Sequence, residues 1–287
     1  MSNIIDGKLV SATMRSQILS DVESLVKEGI KPALAVILVG ENPASVVYVR
    51  NKHRACLETG IIPVQINLPE ETTEDELLSE IDKLNADESI HGILVQLPLP
   101  KHISEQKVID RISPDKDVDA FTHDSVGRIV EGKYKFLPCT PAGIMKLLEY
   151  YNVEIEGKEC VIIGRSNIVG KPMALLMLNA SGTVTVCHSR TKNLKEITKR
   201  ADILVVAIGK PNFVTEDMVR EGAVVIDVGI NRKEDGKLCG DVDFESVASK
   251  ASLITPVPGG VGPMTITMLM ANTLFAAKSI KKRSENN

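Results

Sequence analysis

The fold of this chain is decided by residues 160–187, which read CVIIGRSNIVGKPMALLMLNASGTVTVC. The aliphatic residues Cys160–Ile163 predict a buried strand, and Thr183–Cys187 predicts a second strand of the same kind. Between them lies a glycine-bounded turn, Gly164–Pro172, which leads into an apolar run typical of a helix. Strand, turn, helix and strand in this order form the unit from which parallel sheets are built.

The same alternation of aliphatic runs and helix-period stretches occurs on both sides of this segment. A length of 287 residues fits two domains. We therefore predict an α/β protein of two domains with a cleft between them: one domain over residues 1–140 and a Rossmann-like domain over 141–263. A helix over about residues 264–282 is expected to pack back on the first domain. The other predicted strands are Ala33–Val39, Pro63–Leu68, Gly92–Leu97, Ile203–Ala207 and Val224–Asp227, and the helices Ala44–Thr59, Glu74–Asn85 and Ala142–Tyr151.

Composition argues against several classes of protein. A net charge of −4 gives no overall basic field, so nucleic acid is a poor candidate partner. The five cysteines contain no CxxC pair and the five histidines show no metal-ligand spacing, so we expect neither a disulfide framework nor a bound metal. Apolar runs such as Ala33–Val39 are too short to cross a bilayer, and no apolar signal segment opens the chain. These features predict a cytoplasmic protein with no membrane partner.

The turn after the first strand is suited to a dinucleotide. Glycines such as Gly164 let the backbone approach a pyrophosphate, and the following helix offers free N–H groups and a positive dipole end. The spacing is not G-x-G-x-x-G, and turns of this kind also occur as purely structural connections. We predict that Gly164, Arg165 and Ser166 bind the cofactor.

The residues that follow the second strand distinguish between cofactors. NAD sites usually place a carboxylate there for the ribose 2′-hydroxyl, but this segment reads His188-Ser189-Arg190-Thr191. Ser189, Arg190 and Arg165 instead offer donors suited to a 2′-phosphate, which predicts NADP. The alternative for Arg190 is a solvated surface side chain.

A serine hydrolase is a competing interpretation of the same turn. Gly164-Arg165-Ser166 resembles the start of a nucleophile elbow, but Ile168 stands where that motif has glycine. His188 is the nearest candidate base in the sequence, and no acid partner for it can be assigned. The pattern disfavours this interpretation.

Tyr48 and Lys52 form a candidate chemical centre in the first domain. They lie four residues apart in a predicted helix, so both side chains project from one face. A desolvated lysine can be tuned for proton transfer. Without further signals, a surface lysine beside a half-buried tyrosine explains the same pair.

The further signals are motifs that resemble the bifunctional methylenetetrahydrofolate dehydrogenase/cyclohydrolase family in family order. The resemblance covers roughly residues 1–280, and its final motif is long enough to be highly specific. The motifs are YVRNK at 48–52, GI at 60–61, VQLPLP at 95–100, KDVD at 116–119, PCTP at 138–141, GRSNIVGKP at 164–172, DVGIN at 227–231 and PVPGGVGPMT at 256–265.

The resemblance implies two reactions on a tetrahydrofolate substrate. NADP takes a hydride from 5,10-methylenetetrahydrofolate, and water then opens the methenyl cation to 10-formyltetrahydrofolate. It further implies that Lys52 is the key catalytic group, that Tyr48 packs on the folate, that Gln96 hydrogen-bonds near Lys52 and that Asp119 anchors the pterin. Family members are typically homodimers. The resemblance also assigns Ile230 to the cofactor and the following residues to the folate: Val95, Leu97, Pro98, Pro258, Gly259, Gly262 and Pro263.

The sequence departs from the family pattern after Asp119. The family commonly has glycine next and asparagine several residues later, where this chain has Ala120 and Ser125. An added methyl group is a small change unless the position requires a positive φ, so we expect Asp119 to keep its place. Two rivals to the bifunctional enzyme stay open: a dehydrogenase with weak cyclohydrolase activity, and a catalytically silent protein that binds NADP or folate.

Overall fold

The computed structural model describes residues 3–233 and 235–284, and these divide into two compact units. We name the units after their sheets. The five-stranded unit contains the chain up to Ser11 and Thr140–Thr265, and the three-stranded unit contains Ala12–Cys139 and the chain from Ile266 onward. In chain order the elements are α1 (Gly7–Lys27), β1 (Ala33–Val39), α2 (Pro43–Glu58), β2 (Ile62–Leu68), α3 (Glu74–Ala86), β3 (Gly92–Val95), α4 (Glu105–Arg111), α5 (His123–Val130), α6 (Cys139–Tyr150), β4 (Glu159–Ile163), α7 (Gly170–Asn179), β5 (Thr183–Cys187), α8 (Leu194–Thr198), β6 (Ile203–Val206), β7 (Val224–Asp227), β8 (Asn231–Arg232), β9 (Leu238–Cys239), α9 (Phe244–Ala248), β10 (Leu253–Ile254) and α10 (Val261–Ser284).

The three-stranded unit is built on a parallel sheet in the order β2-β1-β3. All seven residues of β1 are buried, as expected for the central strand of a parallel sheet covered on both faces. Leu77 and Ile81 of α3 pack against Ala35 and Ile37 of β1 in one apolar cluster. The helices are therefore fixed on the sheet by their buried faces.

Local capping explains where the helices of this unit begin. At the start of α2 the Asn42 side chain accepts hydrogen bonds from the backbone N–H groups of Ala44 and Ser45, at 3.0 and 3.2 Å. Pro43 occupies the first turn, where its missing N–H costs nothing. Thr73 and Glu76 form a reciprocal capping box at the start of α3. Both helices thus begin where side chains satisfy otherwise unpaired backbone donors.

The five-stranded unit carries a parallel sheet in the order β10-β7-β6-β4-β5. The chain passes from β4 to the edge strand β5 and returns to β6 on the other side of β4. This reversal is the topological switch point at which doubly wound sheets bind their ligands, beyond the carboxyl ends of the strands. The turn after β4, which begins at Gly164, lies at that point.

The structure confirms the predicted α/β class, with two parallel sheets in two units. The units differ from the predicted ranges at the N-terminus, because the residues up to Ser11 belong to the five-stranded unit. The reason is a long-range pairing: Ile5 N–H donates to Ile254 O, and Ile254 N–H donates to Asn3 O, both at 2.8 Å. No local sequence pattern predicts a backbone hydrogen-bond partner about 250 residues away.

Five helices have no counterpart in the sequence prediction. They are α1, α4, α5, α8 and α9. Thr122 caps α5 by accepting a hydrogen bond from Ser125 N–H at 3.2 Å. Short helices of this kind are set by one cap and by packing, so composition alone is a weak guide to them. Among the described residues no helix is long and apolar enough to cross a membrane.

Candidate functional site

The Lys52 ammonium and the Gln96 side chain form the centre of the site in the three-stranded unit. Lys52 lies in α2, and Gln96 follows the last residue of β3. Lys52 Nζ donates to Gln96 Oε1 at 2.8 Å, and Gln96 Nε2 donates to Leu97 O at 2.6 Å. The second bond fixes the orientation of the Gln96 amide, so that its oxygen faces the lysine.

Asp119 and Cys139 complete the electrostatic environment of Lys52. Burial lowers the pKa of the Lys52 ammonium, and the negative charge of Asp119 partly offsets that effect. Burial likewise raises the pKa of Asp119, while Lys52 and a hydrogen bond with Cys139 act in the opposite direction. Burial and then Asp119 raise the pKa of the Cys139 thiol well above its usual value. Both charged partners are thus shifted toward their neutral forms, which suits a site that transfers protons.

A buried carboxylate shapes the loop that carries Asp119. Asp117 accepts hydrogen bonds from Thr122 N–H at 2.9 Å and from the Ser125 hydroxyl at 2.6 Å. It also accepts from Phe121 N–H at 3.2 Å. Ser125, one of the two departures from the family pattern, therefore has a defined role: its hydroxyl satisfies Asp117.

Ala120, the other departure, has a φ of 57° and is fully buried. The added methyl group is a small change only where the position does not require a positive φ, and this position requires one. A non-glycine residue in the left-handed region costs on the order of 1 kcal/mol, because its Cβ crowds the following carbonyl oxygen. Lys52 and Asp119 are close enough to shift each other's pKa, so Asp119 lies beside Lys52 despite the departure that follows it.

Asn272 is a supporting residue that the sequence analysis did not single out. It lies in α10 and is buried, and its amide donates to Val118 O at 2.8 Å and to Leu137 O at 3.0 Å. These bonds tie the segments that carry Asp119 and Cys139 to the helix. The available signal was a lone asparagine in an apolar helical run, since a buried amide needs partners.

The predicted folate-binding residues fall into two groups. In the three-stranded unit, Tyr48 is 41% exposed and lies one helical turn before Lys52, while Val95, Leu97 and Pro98 flank Gln96 in sequence. The other four residues belong to the five-stranded unit. They are Pro258, Gly259, Gly262 and Pro263, which lie between β10 and the first turn of α10.

The turn after β4 requires its glycines. Gly164 has a φ of 128°, and a Cβ on it would overlap the carbonyl oxygen of Ala207, the residue after β6. A Cβ on Gly170 would overlap the carbonyl oxygen of Gly164. This packing brings the carboxyl ends of β4 and β6 together and shapes the turn after β4, which we call the cradle. It lies at the switch point, where doubly wound sheets bind a nucleotide pyrophosphate.

The side chains around this cradle also fit a phosphorylated ribose. Arg165, Ser189 and Arg190 are exposed, and no carboxylate follows β5 at 188–191. Ile230 is 49% exposed on the turn after β7, in the same unit. Exposed cationic side chains without an adjacent carboxylate are the arrangement that a 2′-phosphate requires.

The hydrolase interpretation finds no support in the geometry of Ser166. Its hydroxyl oxygen accepts from Val169 and Gly170 N–H groups, at 3.2 and 3.3 Å, and so caps the start of α7. His188 Nδ1 accepts from Arg190 N–H at 3.2 Å. Both candidate groups are thus engaged in local turns. Over residues 3–233 and 235–284 there is no group of three or more His, Cys, Asp and Glu side chains arranged to hold a metal ion.

Comparison with family models divides the chain as its sheets do. Residues 5–119 match the catalytic domain of tetrahydrofolate dehydrogenase/cyclohydrolase. Residues 138–281 match the NAD(P)-binding domain of the same family. The two matches together cover most of the chain.

Individual relatives agree with these matches. A protein of Agathobacter rectalis named bifunctional protein FolD is 63% identical over 278 residues, which are 97% of this chain and 100% of the relative. The crystal structure of the Campylobacter jejuni bifunctional enzyme FolD, a methylenetetrahydrofolate dehydrogenase/cyclohydrolase, is 53% identical with a TM-score of 0.95, over 96% of this chain and 98% of that one. The Trypanosoma brucei enzyme, solved with NADP cofactor and inhibitor, is 38% identical with a TM-score of 0.93, over 99% and 98% of the two chains.

Proposed function

The chain belongs to the tetrahydrofolate dehydrogenase/cyclohydrolase family, and from that membership we propose how its residues carry out the two reactions of a bifunctional enzyme. It oxidises 5,10-methylenetetrahydrofolate to the methenyl cation with NADP, and it hydrolyses that cation to 10-formyltetrahydrofolate. The observation that carries the assignment of roles is the hydrogen bond between Lys52 and Gln96 beside Asp119.

In the oxidation step the chain binds and orients the reactants. Bound NADP supplies the hydride acceptor. Gly164 gives the pyrophosphate close access to the backbone, while Arg165, Ser189 and Arg190 hold the 2′-phosphate. Ile230 contacts the cofactor from the turn after β7. Tyr48 packs on the folate, and the Asp119 carboxylate accepts paired N–H bonds from the pterin edge, which sets the angle of the reacting carbon.

In the hydrolysis step the chain moves a proton. Water adds to the methenyl carbon and loses a proton, and the bond from that carbon to one of its two nitrogens then breaks as the nitrogen gains a proton. Lys52 carries out this transfer, because burial lowers the pKa of its ammonium. Gln96 accepts a hydrogen bond from Lys52. This bond orients the remaining protons on Lys52 Nζ. Val95, Leu97 and Pro98 form the wall beside Gln96, and Pro258, Gly259, Gly262 and Pro263 also bind the folate.

The first experiment follows absorbance during incubation with 5,10-methylenetetrahydrofolate and either NADP or NAD. Reduced cofactor and methenyl species are monitored separately. We expect reduced NADP to appear while the methenyl species is removed faster than spontaneous hydrolysis alone removes it, and we expect NAD to be used less well. Methenyl accumulation would instead favour a dehydrogenase with weak cyclohydrolase activity. Folded protein that reduces neither nucleotide would refute the dehydrogenase assignment.

The proposal also covers the oligomeric state of the protein and its cellular compartment. We propose a homodimer that acts on free tetrahydrofolate derivatives in the cytoplasm. All five cysteines are buried free thiols, as is usual in a reducing compartment. Light scattering should give twice the 31.2 kDa of one chain. A monomeric mass across the working concentration range would contradict the dimer, and recovery of the native protein from a cell-envelope fraction would contradict the compartment.

A further inference from the structure

Two buried aspartates lie near the cofactor-binding edge of the five-stranded unit, outside the residues assigned so far. Asp227 is the last residue of β7, and Asp241 follows β9 by two positions. Their exposed fractions are 3% and 0%. A buried carboxylate is costly unless hydrogen bonds satisfy it, so the partners of each one reveal what it holds together.

Asp241 binds the loop that follows β6. Its Oδ2 accepts from Ile208 N–H at 2.7 Å and from Gly209 N–H at 2.9 Å, and its Oδ1 accepts from Lys210 N–H at 2.8 Å. The same Oδ1 accepts from the Asn231 side-chain amide at 2.8 Å. Asp241 therefore joins the loop after β6 to the turn after β7.

Asp227 binds Asp241 and the turn after β7 from the other side. Its Oδ1 accepts from Gly229 N–H and from Asp241 N–H, each at 2.9 Å. Its Oδ2 accepts from Val242 N–H at 2.9 Å. A Cβ on Gly229 would overlap the Asp241 carboxylate, and a Cβ on Gly240 would overlap the Asp227 carboxylate. The absence of a Cβ at Gly229 and Gly240 thus leaves space for the two carboxylates.

Ile230 lies between the two residues that this network holds. Gly229 donates its backbone N–H to Asp227, and Asn231 donates its side-chain amide to Asp241. The loop Ile208–Lys210 follows the residue whose carbonyl oxygen packs on Gly164. The network therefore reaches both the turn that presents Ile230 and the strand end that borders the pyrophosphate cradle.

We propose that Asp241 is a positioning residue for NADP, which acts through the loop after β6 and the turn after β7 and does not touch the cofactor. This inference rests on the proposed function, because it concerns the same NADP site. Three successive backbone N–H groups form a cradle for an anion. Asp241 fills the cradle at Ile208–Lys210 from within the chain, so these three N–H groups are not free to bind a nucleotide phosphate.

The role requires a carboxylate and not only a side chain of that shape. Both oxygens of Asp241 face hydrogen-bond donors alone, so an asparagine in either orientation would direct an NH₂ group at N–H donors. The substitution Asp241→Asn therefore keeps the volume but loosens both loops. The matched control is Asp243→Asn, because the Asp243 side chain makes no capping hydrogen bond to the helix that it precedes.

The test measures NADP affinity by titration of the full-length protein, together with both activities. For Asp241→Asn we expect the Kd and the KM for NADP to rise by roughly 10- to 100-fold, the effect of losing hydrogen bonds to a charged group. Cyclohydrolase activity on the methenyl substrate should be unchanged, since it needs no nucleotide. Asp243→Asn should match the wild type in every assay.

The outcomes separate the inference from the proposed function. Wild-type NADP affinity in Asp241→Asn, or an equal loss of cyclohydrolase activity, would overturn the positioning role. A wild-type protein that neither binds nor reduces NADP would overturn the proposed function itself. If Asp241→Asn does not fold, Asn231→Ala removes one donor to Asp241 and tests the same prediction. It should weaken NADP binding while cyclohydrolase activity is retained, and wild-type NADP affinity in that variant would again overturn the role.

Discussion

At the scale of single residues, substitution of Lys52 tests the role proposed for it. We expect Lys52→Ala to abolish cyclohydrolase activity while NADP affinity stays at the wild-type value, because the residues proposed for NADP belong to the five-stranded unit. Lys52→Arg should also be inactive in hydrolysis, since a guanidinium does not give up its proton. Methenyl decay and NADP titration measure the two effects. Hydrolysis at the wild-type rate in Lys52→Ala would refute the role of Lys52.

Ala120 offers a second test at this scale. Its positive φ predicts that Ala120→Gly stabilises the protein by up to about 1 kcal/mol, a gain reduced in part by the greater freedom of glycine in the unfolded chain. Urea unfolding measures the difference. The control is Ala12→Gly, at an exposed position inside helix α1, which should instead lower stability by roughly 0.5–1 kcal/mol. Equal destabilisation by both substitutions would show that Ala120 is not strained.

At the scale of elements, two N-caps allow a matched comparison. Asn42 caps α2, which carries Tyr48 and Lys52, whereas Thr73 caps α3. Asn42→Ala and Thr73→Ala should each lower the free energy of unfolding by about 1 kcal/mol. Only Asn42→Ala should also reduce cyclohydrolase activity, because fraying of α2 loosens the bond between Lys52 and Gln96. The same loss of activity in both variants would mean that stability alone limits turnover.

The elements also show how far local sequence patterns reach. The strands β1, β4 and β5 match their predicted ranges to within one residue. For β1 and β4 the reason is that burial in a parallel sheet leaves a continuous aliphatic run, whereas the edge strand β5 alternates threonine with valine. The helices α1 and α5 have no such signature in the prediction. Their positions depend on packing and on single capping residues such as Thr122.

At the scale of the whole molecule, stability should depend on the ionisation of Asp227. Burial raises the pKa of this carboxyl to about 6, while an unfolded aspartate titrates near 3.9. Between these values the folded state holds a proton that the unfolded state has lost, so the contribution of Asp227 to stability falls as pH rises. The loss is complete above the folded pKa and amounts to about 3 kcal/mol.

Urea unfolding of the wild type and of Asp227→Asn at about pH 4 and pH 7 tests this sign. The free energy of unfolding of the wild type, minus that of the variant, should decrease toward neutral pH. Asparagine does not titrate, so the comparison removes the other carboxyls from the difference. A difference that grows with pH would show that the N–H bonds to Asp227 outweigh its burial.

The sequence by itself determined the α/β class and the glycine turn at Gly164, and it predicted NADP from Ser189 and Arg190, where no carboxylate follows the strand. Each of these follows from neighbours in the chain: strand burial, a turn that excludes a Cβ, and the residues that end one strand. The ordered family motifs added the roles proposed for Lys52, Gln96 and Asp119. Interactions between residues close in the chain are sufficient to fix the strands, the turn and the strand end.

Only the tertiary structure decided which distant groups meet. It places Asn272 against Val118 and Leu137, and it pairs Ile5 with Ile254. It also shows that Ala120 has a positive φ and that Asp241 holds two loops. The physical reason is that a buried polar group takes whatever partner the packed chain brings to it, and packing depends on the whole fold.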